Sequence, residues 1–177
     1  MNLNVSFMLL RNVHENPHKT AVIFGERRYS YQVFNERVNR LANALLKNGV
    51  HKGDKAATLL NNCIEFAEIS FALSKIGALS VPLNFRLKED EIGYVIENSD
   101  STFLFFGPEF ETSLERIRPR LSRVGRAIRV GGSPEYEDLL QSSSPEEPAV
   151  EVMEEDEHSI MYTSGTTGFP KGAVHIY

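Results

Sequence analysis

"KAATLLNNCIEFAEISFALSKIGALSVPL", residues 55–83, decides the fold class. Its first six residues are a short apolar run with the length of a buried strand. Residues 63–77 form a longer, largely apolar segment that closes on Gly77, and they read as a helix. "ALSVPL" (78–83) is a second β-prone run. Two strands joined through a helix make a crossover unit, and strands joined in that way lie parallel.

The same alternation continues toward the C-terminus. Residues 88–100 read as a helix with Ile92, Val95 and Ile96 inward, followed by a strand "TFLFF" (102–106) stopped at Gly107-Pro108. A helix near "FETSLERI" (110–117), a strand "RAIRV" (126–130) and a short helix "PEYEDLLQ" (134–141) come next. Toward the N-terminus, "TAVIFGERRYSY" (20–31) carries two β-prone runs around Gly25, a hairpin signal. Ser30 reads as the N-cap of a helix, without a capping box because its third position is Val33. Phe34, Val38, Leu41 and Leu45 recur at helical spacing, with Asn35, Arg37, Asn39 and Arg40 between them and Gly49 as the stop. "SFMLLRNVHENP" (6–17) is a short amphipathic helix ended by Pro17. The expected fold is α/β, a three-layer αβα arrangement around a mainly parallel sheet.

"SSSPEEPAVEVMEEDEHS" (142–159) breaks the rhythm. Rich in Ser, Pro and Glu, it reads as a solvated surface connector whose charge has the wrong sign for phosphate. No internal repeat is visible. With 177 residues, 41% of them hydrophobic and 24% charged, the chain has the make-up of a globular domain able to bury a core without staples. The net charge of -5, with Lys and Arg read as scattered, gives no electrostatic case for nucleic acid or an anionic membrane. One cysteine, Cys63, allows no internal disulfide; that fits a reducing compartment and a cytoplasmic location. Cys63 reads as a small core residue. No signal peptide or membrane span is expected. The five histidines show no metal-ligand spacing, and no metal ligands are expected in the chain.

"YTSGTTGFPKGAV" (162–174) carries most of the chemistry. β-prone residues flank it, so it joins two strands. Gly165 and Gly168 let the backbone turn and bring amide groups close to an anion. Thr163, Ser164, Thr166 and Thr167 supply hydroxyl donors, and Lys171 supplies a flexible point charge. Pro170 constrains the exit toward Lys171. The stretch is not a P-loop. Counting from Gly165, the second glycine would fall at Pro170, and Gly172 stands where Ser or Thr should follow the lysine. On composition alone, phosphate binding and a plain flexible turn both remain open.

The ordered string "YTSGTTGFPKG" closely resembles the signature of the AMP-forming acyl-CoA synthetase superfamily. That superfamily spans fatty-acid and acetate CoA ligases, peptide-synthetase adenylation domains and beetle luciferases. The stretches "YSYQVFNERVNRLANALLKNGVHKGDKAATLLNN" and "EFAEISFALSKIGALSVPLNFRLKEDEIGYVIENS" resemble the family in the same order, so the likeness covers nearly the whole chain. Asn84 in "VPLN" is similar to the acyl-CoA synthetase branch, where peptide-synthetase domains tend to carry Asp; on its own it reads as a turn residue. One departure stands out. The family often has His six residues after the motif lysine, where this chain has Tyr177; His175 falls two residues earlier and is given no role.

The resemblance implies an acid–CoA ligase acting on a fatty or other small carboxylic acid, with ATP, Mg²⁺ and coenzyme A. It implies that Thr163, Ser164, Gly165, Thr166, Thr167, Gly168 and Lys171 grip the β- and γ-phosphates. It also implies that residues 1–177 are the N-terminal part of an AMP-binding domain: an α/β body over about 1–141, an acidic connector over about 142–158, and a strand–phosphate loop–strand over 159–177. Family members are about three times longer, so no catalytic residue and no adenylation is expected of this segment alone. Acyl-CoA synthetases are often dimers, which makes a homodimer one expected assembly. The alternatives are a segment of another adenylating enzyme, peptide-synthetase or luciferase-like, and a non-catalytic subdomain serving assembly or regulation.

Overall fold

The structure is a computed structural model that describes residues 4–163 and 169–177. It contains helices α1 (Val5–Glu15), α2 (Tyr31–Lys47), α3 (Ile64–Ile76), α4 (Glu89–Asn98), α5 (Glu111–Ile117) and α6 (Glu135–Gln141). Its strands are β1 (Thr20–Phe24), β2 (Arg27–Ser30), β3 (Lys55–Leu59), β4 (Leu79–Pro82), β5 (Phe103–Phe106), β6 (Arg126–Arg129), β7 (Glu157–Thr163) and β8 (Lys171–Ile176). β1 and β2 form the expected antiparallel hairpin, with Gly25 in the left-handed region at the turn. The other six strands make one sheet in the order β6-β5-β3-β4-β7-β8. Every neighbouring pair is parallel except β7–β8.

The strand alternation explains the layers. Successive side chains point to opposite faces. On β5, Phe103 and Phe105 therefore enter one apolar cluster and Leu104 the other; on β3, Ala56 and Ala57 divide in the same way. The first face is covered by α1, α2, α3 and α6, whose Leu9, Leu41, Leu45, Leu73 and Tyr136 are buried there. The second is covered by α4 and α5 through Ile92, Val95, Ile96, Leu114 and Ile117. This is the three-layer arrangement the alternation predicts.

Local signals set the helix ends. The Ser30 hydroxyl accepts the Val33 N–H at 3.3 Å and caps α2. Gly77 closes α3 at φ 66°, a left-handed geometry that a side chain would strain. α3 has little amphipathic character because it is buried around most of its circumference, against both the sheet and α2.

One feature of that burial is polar. Glu68 on α3 is fully buried. Arg37 of α2 donates Nε to Glu68 Oε1 at 2.5 Å and Nη2 to Oε2 at 3.2 Å. The same guanidinium reaches Glu137 of α6 at 2.6 and 2.9 Å, and the Tyr136 hydroxyl donates to Glu68 Oε2 at 2.8 Å. Three helices are thereby tied to one carboxylate. Burial pushes the Glu68 carboxyl above its ordinary range, and Arg37 opposes that shift.

The acidic segment after α6 differs from its expected form. It lies on the surface, but it is held at many points rather than merely solvated. Asn39 donates to the Pro145 carbonyl at 2.8 Å, Arg40 to Ser143 at 2.6 Å, and Asn43 to Ser144 and Glu146 at 3.0 and 2.8 Å. Lys75, almost fully buried, pairs with Glu147, and Lys52 pairs with Asp156 at 2.5 Å. Val152 is buried. Polar residues on α2 and two lysines thus supply partners that the segment's composition does not reveal.

The basic residues are also less scattered than the sequence reading held. Arg116, Arg118, Arg120, Arg123, Arg126 and Arg129 crowd into fourteen positions. Most are matched by acids: Arg116 with Glu89, Arg120 with Asp90, Arg123 with Asp100 and Arg129 with Glu111. Arg126 bonds to Asn48. The run is therefore largely neutralised within the fold.

Candidate functional site

β7 runs parallel to β4, with Ser80 opposite Ser159, so it emerges at the carboxyl edge of the parallel strands. β3 ends there toward Asn61 and β4 toward Asn84. Ligands of open α/β sheets bind outside this edge, because helix N-termini and crossover loops converge on it. The chain returns along β8 antiparallel to β7, and Thr163 and Lys171 face each other as the last register pair. Both are exposed. Ser164, Gly165, Thr166, Thr167 and Gly168 lie outside the described residues.

Among the described residues, no carboxylate pairs with Lys171, and none pairs with Arg86 of the β4–α4 turn. Arg86 stands over the Phe85 ring at 5.5 Å. It lies in the loop that leaves the carboxyl end of β4, and nothing in an isolated "NFRL" marks that placement. Asn84 makes the turn expected of it: its Oδ1 accepts the Arg86 N–H, and its carbonyl accepts the Leu87 N–H, both at 3.0 Å.

Aromatic residues bracket the hairpin. The Tyr162 hydroxyl donates to Asn98 Oδ1 of α4 at 2.8 Å. The Phe169 ring lies 4.8 Å from that of Tyr94, also on α4. Burial, with Tyr94 and Asp100 nearby, pushes the Tyr162 phenol above its ordinary value, so the hydroxyl stays a donor. His175 is exposed on β8. Burial and the neighbouring His175 lower the pKa of His158, whose ring stacks 4.6 Å from that of Tyr177. The Tyr177 hydroxyl donates to the Ser74 carbonyl at 3.0 Å.

Cys63 sits one residue before α3, at its N-cap, half-buried against the edge of the core rather than inside it. Burial pushes its thiol up to about 11, which makes it a poor nucleophile. Among the described residues no group of three or more His, Cys, Asp or Glu could hold a metal ion, and no helix is long and apolar enough to cross a membrane. The hydroxyls and lysine of the hairpin suit phosphate oxygens; a magnesium ion arriving with a nucleotide would be held chiefly by those phosphates.

A mainly parallel sheet covered by helices on both faces, with a hydroxyl- and lysine-bearing hairpin at its carboxyl edge, defines an open three-layer α/β protein. Residues 9–176 match the model of the AMP-binding enzyme family, and the chain belongs to that family. It is 34% identical over 176 residues to the long-chain-fatty-acid–CoA ligase FadD13 of Mycobacterium tuberculosis (strain ATCC 25618 / H37Rv), covering 98% of this chain and 35% of that protein. It is 35% identical over 171 residues to the crotonobetaine/carnitine–CoA ligase of Citrobacter koseri, covering 89% of this chain and 33% of that protein. Among solved structures it is similar to the anthranilate CoA ligase AuaEII in complex with anthranoyl-AMP, with a TM-score of 0.93 and 28% identity over 99% of this chain and 34% of that one. The Mycobacterium tuberculosis fatty acyl CoA synthetase aligns with a TM-score of 0.90 and 31% identity, over 98% of this chain and 34% of that one. The chain thus spans about a third of the length of the curated relatives it matches.

Proposed function

We propose that this chain is the phosphate-gripping N-terminal segment of an ATP-dependent, AMP-forming acid–CoA ligase. In that reaction a carboxylate oxygen attacks the α-phosphorus of ATP and pyrophosphate leaves, carrying the electrons of the broken P–O bond. The coenzyme A sulfur, losing its proton, then attacks the acyl carbonyl of the adenylate, and AMP leaves. The overall change converts a carboxylic acid, ATP and coenzyme A into acyl-CoA, AMP and pyrophosphate. Magnesium accompanies the nucleotide, the acid is a fatty or other small organic acid, and the expected setting is the cytoplasm. A homodimer belongs to the same reading.

The observation that carries the proposal is the register pair Thr163–Lys171 at the carboxyl edge, with no carboxylate on Lys171 among the described residues. An ammonium with no carboxylate partner among the described residues is available to the leaving pyrophosphate, whose charge grows as the bond breaks. Thr163 adds a hydroxyl donor from the opposite strand, and Ser164, Gly165, Thr166, Thr167 and Gly168 belong to the same proposed grip. The relatives named above are CoA ligases or synthetases, which favours this reading over a peptide-synthetase or luciferase-like enzyme. In the proposed organisation, residues 1–141 are the body, 142–158 the connector and 159–177 the gripping hairpin.

The test is ATP–pyrophosphate exchange by the polypeptide that carries this segment together with the remainder of an AMP-binding domain. Lys171→Ala is expected to slow exchange by about 10²–10³-fold, the usual effect of removing one group that stabilises developing charge. Because Lys171 is exposed, the unfolding midpoint should hold. Unchanged exchange kinetics would refute the phosphate role.

A further inference from the structure

We propose that Tyr94 and Asn98 of α4 are positioning residues for the hairpin, holding both of its stems so that Lys171 faces the ligand edge; this rests on the phosphate reading above. The two residues are four apart and share one face of α4. Asn98 accepts the Tyr162 hydroxyl at 2.8 Å on the incoming strand. Tyr94 packs on Phe169 at a ring separation of 4.8 Å on the outgoing side. Tyr162 and Phe169 flank the segment bearing most of the proposed phosphate ligands. Both contacts go to one rigid helix, which itself lies against the sheet through Ile92, Val95 and Ile96.

Gly172 gives an independent observation. It is the register partner of Tyr162, and a Cβ at this position would stand 2.9 Å from the Tyr162 ring and 2.9 Å from Ile160 Cγ2. Its φ is not positive, so the glycine is required by space rather than by backbone conformation. The ring of Tyr162 lies across the glycine and extends from there to Asn98. A side chain at 172 would displace the ring and break its hydrogen bond. The residue after the motif lysine, unassigned by the P-loop comparison, is thus the bed on which the clamp rests.

Phe169 is 62% exposed and would gain little from packing by burial alone. Its contact with Tyr94 therefore contributes orientation more than core stability. A clamp of this kind would change where Lys171 points without changing global stability, and that difference is measurable.

The experiment uses the 177-residue chain and five variants: Tyr162→Phe, Tyr94→Leu, Tyr94→Phe, Gly172→Ala and Lys171→Ala. Three quantities are read: the thermal midpoint, the rate of trypsin cleavage after Lys171 (in all but Lys171→Ala), and the dissociation constant of magnesium pyrophosphate. The clamp predicts that Tyr162→Phe and Tyr94→Leu speed that cleavage by about three- to tenfold and weaken pyrophosphate binding by a similar factor at an unchanged midpoint. Tyr94→Phe, which keeps the ring, should behave as the parent. Gly172→Ala should match Tyr162→Phe in affinity. Cleavage and affinity both unchanged in Tyr162→Phe and Tyr94→Leu would overturn the proposal, and faster cleavage with unchanged affinity would overturn the positioning role. Equal pyrophosphate affinity in the parent and Lys171→Ala would instead overturn the phosphate reading, while the cleavage comparison still decides whether the clamp exists.

Discussion

Replacing Arg37 with alanine should be the most informative stability perturbation in this chain. Glu68 is fully buried, and its charge is met by two hydrogen bonds from Arg37 and one from Tyr136. Arg37→Ala removes the only cation at that carboxylate among the described residues. Breaking a buried pair from one side costs about 3–5 kcal/mol, because the remaining charge is stranded away from water. A ceiling follows from protonation. The variant can neutralise Glu68, and from an ordinary carboxylate value near 4.3 this costs about 4 kcal/mol at pH 7 and about 1 kcal/mol at pH 5. The sign is fixed by linkage. A carboxyl whose folded pKa lies above its unfolded value stabilises the fold at low pH and loses that contribution as pH rises through the folded value. Arg37 limits that loss in the parent, so the variant's deficit should grow with pH. Glu137 is exposed enough to regain water and adds little. Urea unfolding at pH 5 and pH 7 measures the effect. The expected deficit is about 4 kcal/mol at pH 7, falling toward about 1 at pH 5. Adding Glu68→Gln should recover much of it. A deficit below about 1 kcal/mol at pH 7, or one independent of pH, would refute the reasoning.

Three further outcomes can be checked. Burial lowers the pKa of Lys75, and Glu147 opposes the shift; Glu147→Gln should therefore destabilise the chain at pH 7 and do so less at pH 9 as Lys75 deprotonates, whereas Lys75→Met should be neutral or stabilising in urea melts. Gly77→Ala should cost about 1–2 kcal/mol, since φ is 66° and the new Cβ would meet Lys52 Cγ at 2.8 Å; an unchanged midpoint would remove the left-handed cap as the reason for this glycine. Cys63, with its thiol pushed up to about 11, should react with iodoacetamide at pH 7.5 at least about a hundredfold more slowly than an unperturbed thiol, and a rate near that of the free amino acid would contradict its half-buried setting.

The sequence by itself determined the elements and their order. Strand-length apolar runs alternate with helical ones from residue 55 onward, and short-range chemistry such as the Ser30 cap and the Gly77 stop needs only neighbouring residues. Likewise, the ordered string at 162–172 was enough to raise the family, since its residue types and spacing are read along the chain. The tertiary structure alone decided what meets what across long separations. Nothing local could reveal that Arg37 joins the buried Glu68 to the more exposed Glu137, because these partners lie 31 and 100 residues away. For the same reason the acidic connector looked free: its ties are to Asn4, to α2, to Lys52 and to Lys75, from 72 to 148 positions upstream. The hairpin shows both sides of the division. Its hydroxyls and lysine are legible letter by letter, whereas Gly172 acquires its reason only when β8 pairs with β7 and sets the Tyr162 ring across it, within reach of Asn98 on α4.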